Sequence, residues 1–112
     1  MDKTTLATTY TYEFEDGDTC EMTLSFIALK RLSSTNKNLY ERQKKIMARK
    51  PEDELEILTL LYTAYICANQ SDDVMSEDEF IEKCGSDRVA IMEAAQALTN
   101  PKKRKASANR SN

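Results

Sequence analysis

The chain has 112 residues, 40 % of them apolar and 31 % charged, which suits one globular unit with a single modest core. It contains no histidine or tryptophan and only two glycines, Gly17 and Gly85, so histidine-based catalysis, histidine zinc sites, P-loops and dinucleotide-binding glycine motifs cannot be assembled from it. The net charge of −3 hides an asymmetry: positions 1–100 hold 11 basic and 19 acidic residues, a balance of −8, whereas positions 101–112 hold five basic residues and no acidic one.

Residues 1–7 are expected to form a flexible arm. Over residues 8–14, Tyr10, Tyr12 and Phe14 alternate with Thr9, Thr11 and Glu13, the period of a half-buried strand. Residues 19–24 alternate likewise, with Cys20, Met22 and Leu24 on the apolar side. A three-residue loop, 15–17, sets Tyr12 opposite Cys20 and Tyr10 opposite Met22. Every apolar side chain then shares one face, and Gly17 takes the left-handed position. A two-residue loop would set Tyr12 against Glu21 and break that face. The hairpin, residues 8–24, is too small to stand alone and must pack on helices.

Ser25 can cap a first helix over about 26–33, in which Phe26, Leu29 and Leu32 follow helical spacing while Lys30 and Arg31 point away. A second helix, about 38–49, is expected to bury Leu39, Tyr40, Gln43, Ile46 and Met47 beneath an outer face of Arg42, Lys44, Lys45 and Arg49. Pro51, followed by Glu52, Asp53 and Glu54, has the chemistry of a helix start, which sets the third helix at 51–68. Leu55, Leu58, Leu61, Tyr62 and Tyr65, with Ile57, Leu60, Ala64 and Cys67, make it apolar nearly all round, as in a central core helix or one that keeps a contact face. Ser76 and Glu79 match a capping box, flanked by Met75 and Phe80 at staple positions, and open a helix over 77–84 that Gly85 closes. Ser86 or Asp87 caps the last helix, 87–99, with Val89, Met92, Ala95 and Leu98 on one face. Residues 101–112 are expected to be a disordered basic tail, leaving 8–100 as a single domain. The fold class is α+β and predominantly helical: an N-terminal two-stranded β-hairpin followed by about five short-to-medium helices.

No apolar run reaches the ~20 residues of a membrane span, and no secretory leader is expected. Cys20, Cys67 and Cys84 are widely spaced and read as free buried thiols in a reducing compartment. The carboxylates Glu13, Glu15, Asp16, Asp18 and Glu21 lack calcium-loop spacing and read as an exposed turn. Catalytic residues, cofactors and metals are therefore not expected. Nucleic acid is an unlikely partner for so acidic a body, although the short run Lys102, Lys103, Arg104 and Lys105 has the composition of a nucleic-acid or import-receptor tail. The stripe Tyr62, Tyr65 and Ile66 with Phe80 can be plain core. It is also the candidate partner site, because one layer of short helices and a hairpin leaves little to cover every side of the third helix.

The order of these features resembles the tail assembly chaperones of long-tailed, siphovirus-like bacteriophages. The likeness lies in an aromatic hairpin running straight into the Ser25-Phe26-Ile27-Ala28-Leu29-Lys30-Arg31-Leu32 helix, then a long apolar helix with tyrosines, then an acidic S-x-x-E-F start at Ser76 to Phe80, and a last short helix with a charged tail. It covers about residues 8–100. The resemblance implies a protein that binds the tape measure protein during tail assembly, helps recruit tail tube subunits, works in the bacterial host cytoplasm and is absent from the mature virion. The mechanism expected for such binding is helix-in-groove capture through Tyr62, Tyr65, Ile66, Phe80 and Met92, with the acidic body favouring basic client segments. A frameshifted longer form is a further implication, and Lys102 and Lys103 stand where a slippery run would serve. The competing expectation is a small regulatory protein that binds nucleic acid or an import receptor through its tail. Self-association stays open.

Overall fold

A computed structural model describes residues 9–70 and 73–99. The elements are β1 (Tyr10–Glu13), β2 (Thr19–Met22), α1 (Phe26–Thr35), α2 (Lys37–Arg49), α3 (Glu54–Ala68), α4 (Glu77–Cys84) and α5 (Arg88–Thr99), so the chain is α+β and mainly helical. The expected arm at 1–7 and tail at 101–112 lie outside the described residues.

The hairpin has the expected register, with Tyr10 paired to Met22 and Tyr12 to Cys20. Phe14 N donates to Asp18 O at 2.8 Å and Gly17 N to Phe14 O at 3.0 Å, which closes the three-residue loop. Gly17 sits at φ +94°, a conformation that a β-carbon would strain. Tyr12, Phe14 and Met22 are consequently buried together against the helices.

Local chemistry sets the helix ends. The Ser25 hydroxyl accepts from Ala28 N, Asn36 Oδ1 from Leu39 N, and Asp87 Oδ1 from Ala90 N. The Ser76 and Glu79 capping box is complete, and Gly85 ends α4 at φ +66°. Pro51 lies ahead of α3 rather than in its first turn. The Asp53 carboxylate caps that helix by accepting from Glu56 N at 3.0 Å, while the Glu56 carboxylate reaches back to Glu52 N at 2.8 Å. An aspartate side chain that can satisfy a first-turn amide wins the cap over proline, which only tolerates one.

The third helix of the sequence is the axis of the fold. α3 packs against β2 and against all four other helices. Residues 58–67 are buried without interruption. The expectation that part of this helix stays uncovered therefore holds only at its first turn, where Leu55 is 65 % exposed; from Leu58 onward the partners enclose it. Its two buried threonines cost little, since Thr59 and Thr63 donate their hydroxyls to the carbonyls of Leu55 and Thr59 one turn back.

Two faces turn differently from the sequence expectation. On α5, Ile91, Ala94, Ala95 and Leu98 point inward, whereas Val89 and Met92 are 69 % and 42 % exposed. On α1 the inward residues are Ala28 and Leu32, and Phe26 is 90 % exposed. Met47 of α2, expected to be buried, is also exposed. On α1 and α5 small alanines, Ala28, Ala94 and Ala95, are among the inward residues, and larger apolar groups are displaced outward.

Candidate docking surface

The residues expected to receive a partner are structural. Tyr62, Tyr65, Ile66 and Phe80 all belong to the buried core, so their assignment as a contact face is corrected. Phe80 is fully enclosed. Its ring stacks on Tyr65 at 5.3 Å between centroids and meets Tyr62 at 5.5 Å and Phe14 at 5.9 Å. The tyrosine hydroxyls explain why these positions are not phenylalanine. Tyr62 donates to Met75 O, and Tyr65 accepts from Met75 N, both at 2.9 Å. Together they fix the residue just before the α4 cap. Of the five expected contact residues only Met92 reaches the surface. The tail residues Lys102, Lys103, Arg104 and Lys105 lie outside the described residues.

The carboxylates of the hairpin turn have a structural task that their spacing did not reveal. Lys83 Nζ bridges Asp16 and Asp18 at 2.7 and 2.8 Å and lies over the Phe14 ring. The Glu15 carboxyl crosses directly over Gly85, where any β-carbon would collide with it, and accepts from Ser86 N at 3.3 Å. The turn is thus latched to the α4–α5 corner. The thiols are quiet: burial pushes Cys20 and Cys67 up to about 12, and Cys84 up to about 11, far from nucleophilic at neutral pH. Among the described residues no three acidic or cysteine side chains converge as metal ligands, and no helix is long and apolar enough to cross a membrane.

Among the described residues, one surface open to a macromolecule is a groove between α1, α2 and the end of α5. Leu24, Phe26, Leu29, Met47 and Leu98 supply its apolar lining, Lys44 stands among them, and the groove encloses about 560 Å³. It exists because α1 enters directly from β2 after a three-residue link, 23–25, with Thr23 N donating to Ala64 O of α3 at 3.0 Å. That tether presses the start of α1 onto the core and leaves Phe26, one residue after the Ser25 cap, leaning outward. A phenylalanine at the first position of a capped helix is a visible signal in the sequence, but its direction depends on the link before it.

The basic residues of α2 divide into two groups. Arg42 grips Glu77 of α4 with two hydrogen bonds of 2.9 and 2.8 Å, and Arg49 grips Glu56 of α3 with two of 3.0 and 2.8 Å. These arginines tie the helices together while staying on the outer face expected of them, with side chains 42 % and 45 % exposed. Lys30, Arg31, Lys37, Lys44 and Lys45 have no carboxylate within ion-pair distance among the described residues. Lys44 lies over the Tyr40 ring at 5.9 Å. Comparison of the chain with protein-family models, with curated proteins and with solved structures finds no match in any of the three.

Proposed function

We propose that this protein is a tail assembly chaperone that acts without catalysis: it captures an apolar helical stretch of a tape measure protein and helps bring tail tube subunits to it. In this reading it works in the bacterial host cytoplasm and is left out of the finished particle. The observation that supports it is the α1–α2–α5 groove, where Phe26 stands 90 % exposed beside Met47 and Leu98. Large apolar side chains that a small protein leaves beside an open groove are disposed to be covered by another molecule. The resemblance in element order adds its support, with the capture surface moved from the tyrosine stripe to the groove.

The test is co-expression with a tape measure protein followed by co-purification. Phe26→Asp is expected to abolish capture and leave the fold intact, because the ring it removes has almost no packing to lose. Capture that survives both Phe26→Asp and Met47→Asp would defeat the reading. Tyr65→Asp does not serve as this test, since a carboxylate in place of a buried ring disrupts the core itself. Deleting residues 101–112 separates the competing reading, in which the basic tail binds nucleic acid or an import receptor: capture should be unchanged by that deletion.

A further inference from the structure

Within the acidic body formed by residues 1–100, the groove lies on a basic segment. Residues 26–49, which make up α1 and α2, hold seven basic residues and the single acidic Glu41, a balance of +6. The other positions up to 100 hold four basic and 18 acidic residues, a balance of −14. With Arg42 and Arg49 consumed by internal pairs, the cations left over are Lys30 and Arg31 on α1 and Lys37, Lys44 and Lys45 on α2. Lys44 belongs to the groove lining, whereas Lys30 and Arg31 line a separate hollow with Ile27 on the same helix.

We infer that the groove selects an amphipathic helix whose apolar stripe is flanked by acidic side chains. This rests on the capture function proposed above and names the chemistry of the client segment; it reverses the sequence expectation of a basic client. The apolar lining gives the stripe a place to bury, and Lys44 in that lining, on a pair of helices with a balance of +6, meets carboxylates on the flanks of the incoming helix. A basic helix would set like charges against each other at the rim. The chain's own tail is a poor occupant. It follows Thr99 in the sequence, but residues 101–112 carry five basic residues and no apolar side chain larger than proline.

The test uses the full chain and two dye-labelled amphipathic peptides of about 18 residues that share one apolar stripe and differ only in glutamate or lysine flanks. Fluorescence anisotropy should show the glutamate peptide binding at least about tenfold more tightly in low salt, with the gap closing as ionic strength rises. Phe26→Asp should weaken the glutamate peptide strongly, and Lys44→Glu with Lys45→Glu should invert the preference. Equal binding of the two peptides, or a preference for lysine, overturns the charge selection. If Phe26→Asp still destroys tape measure capture in that case, the capture function stands without it. If neither peptide binds and capture is indifferent to Phe26→Asp, both fall. Displacement of the glutamate peptide by a duplex oligonucleotide would assign the surface to phosphate. Concentration-dependent association of the chain alone, lost in Phe26→Asp, would assign it to a second copy. Either result overturns the inference.

Discussion

Phe80 and Phe26 are the same residue in opposite circumstances, and their contrast separates stability from recognition. Phe80 is enclosed by Phe14, Tyr62 and Tyr65, so Phe80→Ala should cost about 3–5 kcal/mol, a large part of the roughly 5–15 kcal/mol that holds a domain together. Chemical denaturation would show it as a lower midpoint. Phe26→Ala should stay within about 0.5 kcal/mol of the parent in the same measurement. The sequence does not distinguish the two. Both follow a serine cap signal within a few positions, and both have apolar neighbours at helical spacing. What separates them is tertiary: Phe80 arrives at the fourth helical position, turned toward α3, whereas Phe26 opens its helix before the helix has turned inward. The Tyr62 and Tyr65 stripe misled for a related reason. Periodicity reports that a face is apolar, and neighbours far away in the chain decide whether that face is covered.

Elements with local causes were readable, and their boundaries follow from single side chains. The hairpin register came from alternation plus one glycine, the α4 boundaries from a capping box and another glycine, and both agree with the structure. The start of α3 was misplaced because proline and aspartate compete for helix starts and only hydrogen-bond geometry ranks them. Contacts between elements were less legible, and the latch of the β1–β2 turn on α4 illustrates this. Asp16 is held below its ordinary 3.8, first by its hydrogen bond to Lys83 and then by the Asp18 amide; Lys83 is held above its ordinary 10.5 by Asp16 and Asp18. The Asp16 contribution is therefore present above pH 3.8 and fades as pH falls through the lowered value. The Lys83 contribution is present below pH 10.5 and fades as pH climbs past the raised one. Acid titration of Lys83→Met, followed by hydrogen exchange of the turn, should show a weaker dependence below pH 4, the part owed to the Asp18 amide remaining. A turn that protects its amides equally in both proteins would mean the latch does not hold it.

At the scale of the molecule, the fold is a helix wrapped by its own chain. α3 is met by β2, α1, α2, α4 and α5, so the anticipated shortage of cover is confined to its first turn, where Leu55 is exposed. The core consumes the aromatic residues that a sequence reading would spend on a partner. The apolar side chains left exposed include Phe26, Ile27 and Met47 on the α1–α2 pair. That partition has a consequence unrelated to any client. A body with +6 on one pair of helices and −14 elsewhere is a strong electric dipole. Such a molecule presents a different pole to each kind of charged matrix. At pH 7 it should be retained in low salt by cation-exchange as well as anion-exchange resin, although its net charge is −3. Removing residues 101–112 should shorten the first retention without abolishing it, and reversing Lys44 and Lys45 to glutamate in that truncated chain should release it.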